Sequence, residues 1–246
     1  MDRLIYTAMS GAKHVMEQQA TTSNNLANAT TTGFRAQIDA FRAVPIVGDG
    51  LATRSFVADT TIGNNFASGP MQQTGRSLDV AVQGDGWISV QTSDGSEAYT
   101  RNGALKTSEN GVLQTQNGQT VQGVDGPISI PPNLKIAIGD DGTVSSIDTT
   151  TSPSTVTILG TMKLVNPASQ NMVRGDDGLF RIKNGTPADA DSNVKVQGGA
   201  LEGSNVNVID SMVEMINQSR QFDMHMSMLK TAETIETGAE QLFTLS

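Results

Sequence analysis

The sequence predicts a mainly β central domain flanked by an N-terminal and a C-terminal α-helix. Three observations predict it. Apolar residues recur at spacings of three and four near the start of the chain, and do so again near its end. Between the two stretches, short alternating apolar runs are punctuated by Asp-Gly, Asn-Gly and Gly-Asp pairs.

The first helix is read from Leu4 to about Ala29. Ile5, Ala8, Met9, Ala12, Val15, Met16 and Leu26 mark one stripe, and Gly33 is a suitable stop. At 1.5 Å per residue such a helix is roughly 40 Å long. Its end is unusual. Residues 21–37 read "TTSNNLANATTTGFRAQ", rich in Asn and Thr, which compete for backbone hydrogen bonds and are mediocre helix formers. Residues 35–76 hold isolated apolar residues (Phe41, Val44, Ile46, Phe56, Ile62, Phe66) among Pro45, Pro70 and glycines, which predicts an extended, poorly autonomous connecting arm with room for a short hairpin.

From Ser77 to about Ala200 the runs "LDVAVQ", "WISVQT", "VLQT", "ISI", "LKIAI" and "TILGTMKLV" predict short antiparallel strands joined by tight turns. The last helix follows Gly198, Gly199 and Gly203. Asn207 as N-cap, with Asp210 in the first turn, starts it near Val208. Ile209, Met212, Ile216, Phe222, Met226, Leu229, Ile235, Ala239 and Leu242 form its apolar stripe. The expected division is therefore 1–34, 35–76, 77–203 and 204–246. The two stripes can pair within one molecule as a coiled coil, or await cover by other chains. Few i,i+4 ion pairs and five methionines between Met212 and Met228 favour the second arrangement.

Composition excludes several function classes. A net charge of −9, with sixteen scattered cations in 246 residues, argues against nucleic-acid binding. Aromatics at 4% argue against base-stacking platforms. The absence of cysteine removes disulfides, Cys-ligated metals and thiol nucleophiles. No apolar run is long enough to span a membrane, and the N-terminus lacks the pattern of a secretory signal peptide, so any export is expected to proceed without a cleaved leader.

Catalytic motifs are missing too. There is no phosphate-binding P-loop, dinucleotide fingerprint, Gly-x-Ser-x-Gly elbow or His-Glu-x-x-His. His14 and His225 lack a third ligand, so no metal site and no cofactor are expected. The acidic turns at 48–50, 84–86, 139–142 and 175–178 suit hairpins. Carboxylates such as Asp140, Asp141, Asp176 and Asp177 leave a hydrolase as a competing idea. Trp87, the sole tryptophan, is expected in the core, with a secreted glycan-binding module as the alternative.

The stretch "SNNLANATTTGFRAQ" resembles the signature of the flagellar axial proteins, the rod and hook subunits of the bacterial flagellum. Asn24-Asn25-Leu26-Ala27-Asn28, then Thr30 to Thr32, then Gly33-Phe34-Arg35, carry it. Segment 77–123, with Leu78-Asp79-Val80-Ala81 and Tyr99-Thr100-Arg101-Asn102-Gly103, is similar to that family's central β segment. Residues 199–229, with Glu202-Gly203-Ser204-Asn205-Val206 ahead of the last helix, are similar to its C-terminal signature. "MDRLIYTAMSGA", "FRAQIDAFRAVPI" and "RGDDGLFRI" look most like proximal rod subunits. A distal rod subunit is the alternative, and a hook protein carries a longer middle.

The resemblance implies a non-enzymatic structural subunit whose terminal helices pair as a coiled coil in the inner layer of a tube. It implies head-to-tail polymerisation to transmit motor torque to hook and filament, in a basal-body rod crossing the periplasm. Implied partners are copies of itself, other proximal and distal rod proteins, and the flagellar type III export apparatus, which Phe34-x-x-x-Ile38 would address. No cofactor, metal, nucleic acid or membrane insertion is implied. The assembly interface it implies comprises Ile5, Met9, Ala12, Met16, Asn24, Asn25, Leu26, Asn28, Gly33 and Phe34 at one end, and Met212, Ile216, Phe222, Met226, Leu229 and Leu242 at the other.

Overall fold

The structure, a computed structural model, describes residues 2–45, 55–132, 134–148 and 155–244, with side chains described at 5–41, 63–132, 134–148 and 155–238. The central region is mainly β, with helices near both ends. The chain forms two compact units: Met1–Ala29, Ala36–Asn65 and Val206–Ser246 make one, Thr30–Arg35 and Phe66–Asn205 the other.

The helical unit holds α1 (Asp2–Ala27) and α2 (Val208–Thr244), which pack together. The Asn207 side-chain oxygen accepts from the backbone N–H groups of Ile209 (3.0 Å) and Asp210 (3.4 Å), so α2 starts on the expected cap. The connecting arm holds a long antiparallel hairpin, Gln37–Pro45 against Ser55–Asn64, rather than a short one. Alternation in "QIDAF" and "SFVADTTI" supplies the period of two that strands require. Residues 46–54, with Ile46 and the Gly48–Gly50 turn, lie outside the described residues.

Among the described side chains, the stripe expected on α2 coincides with its covered side only at Phe222 and Leu229. The less exposed positions are Ser211, Met215, Gln218, Phe222, His225, Leu229 and Ala232, in alternating steps of four and three. Ile209 is 73% exposed, and Met212, Val213, Ile216, Met226 and Ile235 also face outward. Apolar residues lie all round α2, so periodicity alone selects no single seam. On α1, Ala8, Ala12, Val15 and Thr22 are buried, whereas Met9 and Met16 are exposed.

In the β unit, seven strands form one antiparallel path: 172–174, 180–182, 97–100, 87–91, 120–123, 113–115 and 105–107. Strands 126–127 and 164–165 join it at 120–123 and 87–91. A three-stranded sheet orders 135–138, 143–148 and 155–161. Two short ladders pair 80–83 with 195–198 and 71–73 with 200–202. The core gathers Val80, Ile88, Val90, Leu105, Leu113, Val121, Val144 and Val196, all fully covered. A second cluster stacks Trp87, Tyr99, Phe180 and Met172.

Candidate functional site

The residues that carried the family resemblance are pinned mostly by side-chain hydrogen bonds to backbone. Asn25 bridges Gln37 from both sides: its Nδ2 donates to the Gln37 carbonyl at 2.9 Å, and its Oδ1 accepts from the Gln37 N–H at 2.8 Å. The amide thereby acts as one more rung beside the first strand of the hairpin. Asn28 Nδ2 donates to the Asn24 carbonyl at 2.9 Å, a second donor beside the Asn28 backbone N–H, which reaches the same oxygen at 3.2 Å. Gln218, 4% exposed, donates from Nε2 to Thr22 Oγ1 at 3.0 Å across the helix pair. Ile5, Leu26, Phe222 and Leu229 are half-buried in this unit and Asn24 is exposed. The Leu242 side chain lies outside the described residues.

Gly33 and Phe34 belong to the β unit instead. Gly33 has φ +68°, and a Cβ there would stand 2.4 Å from the Arg101 and Asn102 backbone, so glycine is required twice over. Its N–H donates to the Glu202 carbonyl at 2.8 Å. Thr32 Oγ1 donates to Asn102 Oδ1 at 2.8 Å. Phe34 is buried, with the Arg174 guanidinium 4.5 Å from its ring centroid.

Next to Phe34 lies the most concentrated electrostatic feature of the β unit. Arg35 and Arg101 are both buried and share one carboxylate. Arg35 Nη2 donates to Glu202 Oε1 at 2.7 Å, and Arg101 Nη1 donates to Glu202 Oε2 at 3.0 Å. Glu202 Oε1 also accepts from the Gly69 N–H at 2.9 Å, and Arg101 Nη2 donates to the Gly84 carbonyl at 2.7 Å. The Trp87 ring centroid is 5.3 Å from the Arg101 guanidinium and 6.0 Å from that of Arg35. Burial pushes the Arg101 guanidinium below its usual range, the Glu202 charge opposing and the Arg35 charge adding. Each of the three residues lies inside a motif of the family resemblance, but nothing local in the sequence joins them. The signal was there: single charges in otherwise neutral, glycine-bearing segments.

The chemistry-like features fall elsewhere. Trp87 is 4% exposed, packed against Phe66 and Phe180, with no face open to a sugar. Asp140 and Asp141 sit in the turn between strands 135–138 and 143–148, and Asp176 and Asp177 in the one between 172–174 and 180–182. Asp141 accepts from the Thr143 N–H and Asp177 from Leu179 and Arg181, so each serves its own turn. His225 lies over Gly11, where a Cβ would meet its ring at 2.5 Å, and His14 Nδ1 is 3.2 Å from Glu17 Oε2. Among the described residues no cluster of three or more potential ligands could hold a metal ion, and no helix is long and apolar enough to cross a membrane.

Three family models match the chain: the flagella basal body rod protein model at residues 5–35, the flagellar hook protein FlgE/F/G D1 domain at 81–146, and the flagellar basal body rod FlgEFG protein C-terminal model at 197–242. Arg35, Arg101 and Glu202 come one from each matched segment. The chain is 44% identical to the flagellar basal-body rod protein FlgF of Escherichia coli, over the whole of both chains. It is 43% identical to that of Salmonella typhimurium, again over both whole chains. It is 30% identical to the flagellar basal-body rod protein FlgG of Bacillus subtilis, over 96% of this chain and 97% of that one.

Proposed function

Because the chain belongs to the flagellar basal-body rod protein family, and is thereby a structural subunit of the basal body, we propose that it builds the proximal part of the rod. In this role it polymerises head-to-tail with copies of itself and meets neighbouring proximal and distal rod proteins. Torque passes from motor to hook and filament through those contacts. It has no catalytic task. The FlgF relatives at 43% and 44% identity stand well above the FlgG relative at 30%, which favours the proximal over the distal position.

One observation carries the assembly role. Both terminal helices pack together and still leave large apolar side chains in solvent: Tyr6, Met9 and Met16 on α1, and Ile209, Met212, Val213, Ile216 and Ile235 on α2. Such a surface is far more apolar than a solitary chain needs, and neighbouring subunits would bury it. The alternating four-and-three spacing of covered α2 residues supports a coiled-coil pairing with α1 in the inner layer. Of the interface expected from sequence, Met9, Met16, Met212, Ile216 and Met226 are available to neighbours, and Ala12, Phe222 and Leu229 serve the helix pair. Export through the flagellar type III apparatus precedes folding, since Phe34, half of the Phe34-x-x-x-Ile38 pattern, is buried once the chain folds.

The test is electron microscopy of basal bodies from cells lacking this gene, with a complemented strain beside them. Rings with a missing or truncated rod, restored by the gene, are expected. Intact rods and hooks in the deletion strain would refute the role.

A further inference from the structure

Inside the helical unit, α1, α2 and the first strand of the hairpin enclose an open cavity of about 190 Å³. Its chemistry is one-sided. Asp39 and Glu214 bring two carboxylates, and among the described residues no Lys or Arg lines it and neither acid has an ion-pair partner. Gln218 forms part of the wall. Its Nε2 is committed to Thr22, while its Oε1 is shielded from solvent and, among the described residues, receives no donor. An amide oxygen without a donor leaves negative partial charge in the same wall, where water screens it little. Beside the acids stand Phe41 and the half-exposed Ile38.

We propose that this cavity receives an arginine or lysine side chain from a second copy of the chain. The methylene stem lies along Ile38 and Phe41, and the cationic head sits between Asp39 and Glu214 beside the Gln218 dipole. Acids beside an apolar wall suit a long amphipathic cation better than a bare metal ion, which wants oxygen on all sides. The chain offers donors of the right kind: Arg220 and Lys230 are exposed on α2, with no ion-pair partner among the described residues. The proposal rests on the rod-subunit role, since only assembly brings a second copy into range.

Full-length variants are produced in cells lacking the native gene, and the subunit content of purified basal bodies is measured against wild type. Asp39→Asn with Glu214→Gln is expected to lower incorporation by about tenfold, with Trp87 fluorescence unchanged. Glu214→Arg is expected to abolish incorporation, and adding Arg220→Glu or Lys230→Glu to restore it. Wild-type incorporation of the neutral double variant, or restoration by neither reciprocal change, overturns the proposal while leaving the rod role standing. Absence of the wild-type chain from basal bodies overturns both.

Discussion

Removing the charge of Glu202 is the perturbation whose size the structure fixes best. The side chain is 1% exposed and accepts three hydrogen bonds: from Arg35 at 2.7 Å, Arg101 at 3.0 Å and the Gly69 N–H at 2.9 Å. Glu202→Gln keeps the shape and an acceptor for Gly69 but leaves two buried guanidiniums facing each other without a counter-charge. Breaking a buried pair from one side costs about 3–5 kcal/mol, a large fraction of the roughly 5–15 kcal/mol that holds a domain folded. The sole tryptophan, Trp87, lies over both arginines and reports directly in a urea titration of the full chain. With m near 2 kcal/mol/M, the midpoint should fall by about 2 M at unchanged m.

A loss below about 1 kcal/mol would refute the claim that Glu202 neutralises a buried cluster. A companion variant separates charge from packing. Replacing all three residues, Arg35→Met, Arg101→Met and Glu202→Leu, removes every charge together and should recover most of the stability. If the triple variant is as weak as Glu202→Gln, the loss came from disturbed packing around Trp87, and the ionic account fails.

Further expectations concern single positions. A Cβ at Gly103 would stand 1.6 Å from the Val80 carbonyl oxygen, so Gly103→Ala should destabilise the β unit by more than about 3 kcal/mol, while Gly118→Ala, with φ +89° but open space, should cost about 1 kcal/mol in the same titration. Asn25→Ala removes both bonds to Gln37 and should speed hydrogen exchange at the Gln37 N–H by at least about tenfold, with the β unit unaffected. Hydrogen bonds from Thr92 and Ser96 hold the Asp94 carboxyl down to about 2; Thr92→Ala should raise its NMR titration midpoint toward ~3.9. Burial pushes the Tyr99 phenol up to about 12. Because this value lies above that of the unfolded chain, the contribution is intact below about pH 10 and is lost between there and about pH 12, a loss that Tyr99→Phe should abolish.

Much of this architecture was legible in the sequence. Asn207 and Asp210 marked the start of α2, and the Asp-Gly and Asn-Gly pairs marked turns whose glycines at 111, 118, 142, 178 and 185 all have positive φ. These signals are local, so sequence carries them. The seam of α2 was not legible, because apolar residues on every side leave burial to be decided by neighbours. The hairpin was underestimated because its two strands, nine and ten residues long, are separated by a segment whose composition reads as linker. The joining of the arginine–glutamate cluster was not legible, for a different reason. Its members stand 167 and 101 residues from one another through Glu202, and no local period connects them.

The Asn- and Thr-rich end of α1 illustrates what a family signature can encode. Its resemblance to axial proteins suggested residues held ready for neighbouring subunits, yet several are already occupied inside the chain. Asn25 binds the Gln37 backbone, Asn28 closes the end of the helix, Thr22 meets Gln218, and Thr32 meets Asn102. Short polar side chains are poor helix formers because they reach nearby backbone groups, and that reach is what a chain needs where a helix stops and a strand begins. Phe34 follows the same logic: its burial lies in the β unit, so Phe34→Ala should weaken that unit by about 3–5 kcal/mol before any effect on assembly is counted. The outward methionines and isoleucines of the helices differ from these polar residues: among the described residues they stay exposed and are not spent on packing inside the chain.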